Sequence, residues 1–384
     1  MYSFDEQTDR RGTCCVKWDE APAGVIPLWV ADMDFAVAPP IQAAVRRRAE
    51  HPVFGYTLVD ADYYVALISW FWRRHGWRIA REHILYTTGV VPALSCAIKA
   101  LTMPGERVVM LSPDYNCFFS SIRNNGCEVV ESCLLRVARD GVERFEVDWA
   151  AFEAQCADEK CTLFVLCNPH NPTGRVWSRD ELCRLSDICR RHQVRIVSDE
   201  IHCEIVMPGH TFVPMATVDD TAVILNSPSK SFNTAGLQIA NIVCTDAETR
   251  RRIDRAININ EVCDVNLFGP VALKAAYNEG EAWLDELNAY LWGNYQALAD
   301  FAARELPGWR VMPLEGTYLA WVDVSAVSAD VSAYCERLLR EARVWLNPGT
   351  MYGGVSGQGY VRVNLACRRA LLLEALNRIK NIQL

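Results

Sequence analysis

The 384-residue chain reads as an α/β protein: a mostly parallel sheet with helices on both faces, joined to a smaller α+β domain. Three observations predict this. Short apolar runs at 162–167, 194–198 and 222–225 have the length and character of buried strands. A capping box, Ser178-Arg179-Asp180-Glu181, opens a helix that runs to about residue 191 between the first two. Each of the three runs ends at or just before a residue with chemical potential: Asn171, Asp199 and Lys230. In sheets of alternating strand and helix, ligands bind at the carboxyl ends of strands.

The other elements follow in order. Pro39-Pro40 starts a helix over 39–50, proline being tolerated in a first turn. Val91-Pro92-Ala93-Leu94 opens a helix through Ala100 that stops at Met103-Pro104-Gly105. Residues 107–111 form a short strand ending at Ser112-Pro113-Asp114-Tyr115. In the last third, 281–304 is helical, 311–323 holds strands and 330–341 is helical. A strand at 360–364 and an amphipathic helix over 370–380 complete the chain. The division expected is an N-terminal arm and part of the small domain at 1–50, a large domain at 51–275, and a C-terminal small domain at 276–384.

Composition narrows the function classes. Hydrophobic residues make up 51% and charged residues 22%, an ordinary globular balance. A net charge of −8 argues against nucleic acid, whose phosphates need a basic face. No apolar run is long enough for a bilayer, and Met1-Tyr2-Ser3-Phe4-Asp5-Glu6 lacks the order of a signal peptide, so a cytoplasmic protein is expected. The 16 cysteines fit reduced, packed thiols. Cys156, Cys161 and Cys167 lack paired metal-ligand spacing, and no metal is expected.

The chemistry centres on Ser227-Pro228-Ser229-Lys230-Ser231-Phe232. The chain has only six lysines, and Lys230 alone stands among small hydroxyl residues after a strand. Such a lysine forms an imine with an aldehyde while Ser227 and Ser229 hold a phosphate. Pyridoxal 5'-phosphate (PLP) offers both groups. Asp199, at the mouth of a strand, suits the pyridine nitrogen; alone it would read as a cap or loop aspartate. Asn168-Pro169-His170-Asn171-Pro172 is a turn that proline stiffens, presetting Asn171 for the phenolic oxygen. Gly89 and Val90 precede or open a helix whose free N–H groups favour an anion. Arg362 suits an α-carboxylate, although spacing does not single it out among the arginines. Tyr115 either stacks on a flat ring or belongs to the core.

Taken together, the motifs resemble the fold-type I PLP enzymes of aminotransferase class I/II, and within them the cystathionine β-lyase (C–S lyase) branch. The resemblance runs nearly end to end. It is carried by Trp29-Val30-Ala31-Asp32-Met33-Asp34-Phe35, Gly55-Tyr56-Thr57, Gly89-Val90-Val91-Pro92-Ala93-Leu94 and Cys167-Asn168-Pro169-His170-Asn171-Pro172-Thr173-Gly174. Ser198-Asp199-Glu200-Ile201-His202-Cys203, Ser229-Lys230-Ser231-Phe232-Asn233, Glu315-Gly316-Thr317-Tyr318-Leu319 and Arg362-Val363-Asn364-Leu365-Ala366-Cys367 complete it. The Ala-Asp-Met-Asp-Phe and Asp-Glu-Ile-His-Cys strings belong more closely to the lyase branch.

The resemblance implies the PLP-dependent transferase fold and a homodimer with shared active sites. It implies that Lys230 joins the cofactor aldehyde and shuttles the proton, and that Asp199 pairs with the ring nitrogen. Asn171 sits near the phenolic oxygen; His202 either joins it there or is a structural loop residue. Tyr115 stacks on the ring, and Gly89, Val90, Ser227 and Ser229 surround the phosphate. Tyr56 reaches the phosphate from the second subunit, and Arg362 and Asn171 bind the substrate, Arg362 by its carboxylate. The implied reaction is α,β-elimination from a small sulfur-containing amino acid, cystathionine above all. An aminotransferase on the same scaffold is the rival, because both reactions share the carbanion step. A regulatory or protein-interaction role on this scaffold is the further alternative; a regulator of this fold would need a helix-turn-helix segment, and the motifs begin by Trp29, while a contact with another protein stays open. Two positions depart from the pattern: Gln238 stands where many relatives carry a phosphate-binding arginine, and Arg368-Arg369 replaces proline–arginine.

Overall fold

The computed structural model describes residues 2–139, 142–259 and 264–383. Its centre is a seven-stranded sheet. In chain order the strands are β1 (Ile84–Thr87), β2 (Arg107–Ser112), β3 (Glu128–Cys133), β4 (Cys161–Cys167), β5 (Arg195–Asp199), β6 (Val223–Asn226) and β7 (Ala240–Val243). Across the sheet the order is β1-β7-β6-β5-β4-β2-β3. Only β7 runs antiparallel to its neighbours.

The strand sequences explain why both faces are covered. Successive side chains point to opposite faces, so a strand that is apolar at every position must bury both. Val108, Met110, Leu163, Val165, Val197, Val223 and Leu225 pack on one side with α3 (Val90–Leu101), α4 (Asn116–Asn124) and α7 (Ala247–Ile259). Val109, Leu111, Phe164, Leu166, Ile196 and Ile224 pack on the other. That side carries α2 (Ala61–His75), α5 (Trp149–Cys156), α6 (Arg179–Arg191) and α8 (Phe268–Glu279), and α1 (Pro39–Glu50) lies against α8. The capping box of α6 is present as the sequence predicts, with Glu181 N–H donating to the Ser178 hydroxyl and the Glu181 carboxylate accepting from Ser178 N–H.

A second, four-stranded sheet has the order β8-β9-β11-β10 and is antiparallel. Its strands are β8 (Arg310–Val311), β9 (Leu319–Asp323), β10 (Asn347–Pro348) and β11 (Tyr360–Asn364), accompanied by α9 (Glu281–Glu305), α10 (Val331–Arg337) and α11 (Arg369–Gln383). The N-terminal segment joins this part: Ile26–Pro27 pairs in parallel with Val344–Trp345, and Trp29 stacks on Trp345 with ring centroids 4.3 Å apart.

Three strands of the large sheet escape sequence reading. β3 (Glu-Val-Val-Glu-Ser-Cys) is a half-exposed edge strand with charges in it. β1 and β7 have four residues each, and β7 carries a buried asparagine, Asn241.

Candidate active site

The carboxyl ends of β1, β2, β4, β5 and β6 open on one edge of the sheet, where a cavity of about 270 Å3 lies. Gly89, Val90, Tyr115, Asn171, Asp199, His202, Ser227, Ser229 and Lys230 all line it, together with Ala31 and Gln238. Nine of the residues singled out from sequence therefore meet in one place.

Lys230 lies on the turn after β6. Its Nζ donates to the Ala31 carbonyl at 2.6 Å. Burial lowers its pKa to about 8, and the nearby Arg362 charge adds to the effect. About a tenth of such amines are neutral at pH 7, enough for a nucleophile or base.

Asp199 is the last residue of β5. Its Oδ1 accepts the Ile201 N–H at 3.0 Å. Burial raises its pKa to about 7; the Asp114 charge pushes the same way, while the Ile201 hydrogen bond and Lys230 oppose it. A carboxyl in this state gains most from a cationic N–H partner. His202, three residues on, is held neutral: burial first, then Lys230 and Arg362, drive its pKa down to about 3. Its buried Nδ1 has no hydrogen-bond partner among the described residues, and its ring meets Tyr318 edge-on at 5.9 Å.

At the other end of the cavity, Gly89 is the N-cap of α3 and supplies no side-chain cap. The first-turn N–H groups of α3 thus face the cavity edge without an intrahelical acceptor, and Pro92 in that turn sacrifices no bond. Gly89 is extended (φ 179°), and a Cβ there would meet only the Pro92 ring, at 3.4 Å. The protein's own packing therefore does not demand glycine. The Ser227 hydroxyl already donates to the Ile239 carbonyl at 2.6 Å and accepts the Ser229 N–H at 3.1 Å. Its first role is to shape the turn, which corrects its reading as a free hydroxyl donor. Gln238 lines the cavity in left-handed conformation (φ 47°).

Arg362 sits mid-strand in β11, between Trp321 and Asn347, and is buried. It does not line the cavity but is one bond away from it. Its Nη1 donates to Asn171 Oδ1 at 3.3 Å, its Nη2 donates to the Trp29 carbonyl at 2.7 Å, and its Nε has no partner among the described residues. Tyr352 lies beneath it, 4.7 Å from ring centre to guanidinium carbon. Asn171 is placed by the turn after β4, which closes through Gly174 at φ 73°.

Tyr56 is not brought to the cavity; it is 98% exposed, in an irregular stretch with Val53, Phe54 and Leu58 also exposed.

Several residues escape sequence reasoning. Segment 29–35 is a strap over the site, and its carbonyls are taken up by side chains from distant elements. Asn364 Nδ2 donates to Val30 O and Asp32 O (2.5 and 2.7 Å), and Asn233 Nδ2 donates to Met33 O and Phe35 O (3.0 and 2.9 Å). Tyr318 donates its hydroxyl to the same Ala31 carbonyl that Lys230 uses, at 2.9 Å. From the outside, Lys17 and Arg10 pair with Asp34 (3.0 and 2.8 Å), and Arg10 also pairs with Asp32. The signal was the motif string itself; its purpose is invisible until backbone carbonyls are placed.

A separate group, His75, Cys203 and Glu204, brings ligand-type atoms within 4.8 Å of one another. Glu204 there accepts from Trp70 Nε1 (2.6 Å) and His75 Nε2 (2.8 Å), with Arg74 at 3.5 Å. It is the anchor of a charge-compensated cluster.

Comparison with known proteins agrees with this geometry. Residues 23–379 match the family described as aminotransferase class I and II. The chain is 38% identical to cystathionine beta-lyase PatB of Bacillus subtilis (strain 168), over 98% of this chain and 99% of that protein. Among solved structures, cystalysin from Treponema denticola, which contains a pyridoxal 5'-phosphate cofactor, superposes with a TM-score of 0.94 at 31% identity, covering 99% of this chain and 98% of that one. The PLP-bound C–S lyase from Staphylococcus hominis superposes with a TM-score of 0.91 at 32% identity, covering 100% and 99%. With the cavity, the fold and the end-to-end similarity in agreement, this chain belongs to the aminotransferase class I and II family.

Proposed function

We propose that the chain is a PLP-dependent carbon–sulfur β-lyase that converts L-cystathionine and water to homocysteine, pyruvate and ammonia. One observation carries the reading: an amine of lowered pKa, Lys230, and a buried carboxyl of raised pKa, Asp199, line the same cavity, with Arg362 alongside. The similarity to lyases along the whole chain directs that chemistry to a C–S bond.

The residues fit the cofactor. Among the described residues the buried His202 Nδ1 and Arg362 Nε have no hydrogen-bond partner, and Asp199 is a buried carboxyl whose pKa burial raises to about 7. Lys230 would hold the aldehyde, Asp199 the ring nitrogen, Asn171 the phenolic oxygen and Tyr115 the ring face. Gly89, Val90 and Ser229 would hold the phosphate, with Ser227 shaping the turn that carries Ser229 and Gln238 at the same end. When bound, PLP supplies a ring that accepts the electrons left when Cα loses its proton.

The protein's part follows from its own groups. Lys230 in its neutral form takes the Cα proton, and the resulting ammonium donates to the Ala31 carbonyl. Asp199 keeps a proton on the ring nitrogen by presenting negative charge to it. Asn171 spends its oxygen on Arg362, so its amide NH2 remains as a donor. Arg362 turns its unpaired Nε to the substrate carboxylate. His202, uncharged, adds a neutral polar group and no competing cation.

The same reading includes a homodimer with shared sites, in which exposed Tyr56 reaches the partner's phosphate end, and residence in the cytoplasm. No described helix is long and apolar enough to cross a membrane. It also keeps the division into 1–50, 51–275 and 276–384, supported by the pairing of Ile26–Pro27 with Val344–Trp345. The test is to incubate the holoenzyme with L-cystathionine and measure pyruvate and free thiol. Equimolar release above a Lys230→Ala control is expected. Conversion of the cofactor to its amine form with a 2-oxo acid, and no thiol, would instead identify an aminotransferase.

A further inference from the structure

Behind the cavity wall lie two buried groups with no part in the chemistry above. Asp114 follows β2 and is fully buried. Its Oδ1 accepts the Tyr115 N–H at 2.7 Å, and its own N–H donates to the Tyr352 carbonyl at 2.6 Å. Its Oδ2 has no hydrogen-bond partner among the described residues. His170, also fully buried, faces that oxygen with Nε2 at 3.8 Å. The same Nε2 is 3.3 Å from the Leu111 carbonyl, and Nδ1 is 2.7 Å from the Thr173 hydroxyl. A carbonyl only accepts, so Nε2 carries the proton and Nδ1 accepts from Thr173.

The sheet places this pair next to Asp199. β2, β4 and β5 are adjacent, and their carboxyl ends carry Asp114, Cys167 and Asp199 in turn. Cys167 is paired in register with Asp199. Its buried thiol feels both carboxyl groups, which together with burial push its pKa well above the ordinary value.

We propose that Asp114, faced by His170, is a positioning residue that sets the proton affinity of Asp199 through charge and ties Tyr115 and Tyr352 to the same wall. The link to the cofactor rests on reading Asp199 as the partner of the ring nitrogen; the link between the carboxyls does not. Asp114 is itself shifted upward by burial, with His170 opposing, and its charge is among the influences that raise Asp199. The other groups that act on Asp199 are Lys230, Glu200, Tyr115 and Cys167; those that face Asp114 are His170 and Cys167. An anion behind Asp199 makes its proton harder to remove, and by the same field favours a proton on any basic nitrogen it faces.

The experiment is a carboxyl 13C NMR titration of the full chain before PLP is added, with aspartate labelled and Asp199 and Asp114 assigned by Asp199→Asn and Asp114→Asn. Asp114→Asn keeps an oxygen for the Tyr115 N–H and removes only the charge. It should lower the Asp199 midpoint by roughly half a pH unit, about threefold in proton affinity. An unchanged midpoint overturns the proposal and leaves Asp114 as a hydrogen-bond acceptor alone. Should that variant not fold, the unmodified chain decides: the proposal requires Asp114 to be ionised where Asp199 titrates, and an Asp114 midpoint above that of Asp199 overturns it. In the holoenzyme the acid side of the kcat/KM profile should move the same way. An NMR shift without that movement sustains the coupling and sinks the ring-nitrogen reading instead.

Discussion

Arg362 and Asn171 share a hydrogen bond of 3.3 Å between Nη1 and Oδ1, joining the central region of the small sheet to the turn that follows β4 of the large one. Asn171 lines the cavity and Arg362 stands behind it, so the guanidinium is held in one orientation by Asn171, the Trp29 carbonyl and the Tyr352 ring. The Nε–H and the second hydrogens of Nη1 and Nη2 are left for a substrate.

Arg362→Lys keeps the charge and loses the fork. Charge-assisted bonds are worth about 1.5–3 kcal/mol each, so kcat/KM should fall roughly 100-fold, mostly in KM. Steady-state kinetics check this, with the cofactor absorbance of the variant unchanged.

The lowered pKa of Lys230 predicts how the chain loads its cofactor. Below about pH 8 the amine is mainly ammonium, so the rate of PLP capture should rise about tenfold per pH unit and level off above that value. Absorbance of the forming imine, followed after mixing with PLP, measures it. A rate that still climbs toward pH 10 would mean an unperturbed lysine.

Asp199 predicts a pH dependence of folding without cofactor. Its folded pKa, about 7, exceeds the unfolded value near about 3.9, so the folded chain holds an extra proton between them. Its contribution to stability is present at low pH and is lost as pH rises from about 4 through about 7. Asp199→Asn should remove that decline, as read by urea unfolding at successive pH values.

Lys17 predicts a structural weak point far from the chemistry. It is fully buried and 3.0 Å from Asp34 Oδ2. Lys17→Met leaves Asp34 to Arg10 and Trp18 alone and should destabilise the chain by about 3 kcal/mol, the scale of a broken buried ion pair. Denaturant unfolding gives the loss. Turnover should fall as well, because the strap that carries the Ala31 carbonyl is loosened.

Much of this site was legible in the sequence because its parts sit at the ends of strongly apolar strands. Asn171 and Lys230 follow β4 and β6 and Asp199 ends β5, strands whose side chains are mostly apolar on both faces and so announce themselves. Arg362 was harder: β11 pairs only with β9 and the two-residue β10 of the small sheet, and its guanidinium looks like any other until Trp29 and Asn171 are placed beside it. The role of Ala31 and the acceptors of the strap were not readable, since backbone carbonyls leave no trace in side-chain pattern. Asp114 was passed over for a related reason. A single acidic residue in a Ser-Pro-Asp-Tyr turn reads as solvent-facing, and only tertiary packing takes it out of water.

The bond from Arg362 to the Trp29 carbonyl spans 333 positions of the chain. Whatever order the large sheet assembles in, the binding wall needs both extremities present at once, and such distant closures are costly in chain entropy. A fragment lacking the first 35 residues would retain the bed for a flat ring and yet have neither a resting place for the lysine's proton nor a fixed guanidinium. Competence for turnover is in this sense a property of the joined ends, and capture of PLP without turnover is what a shortened chain should display.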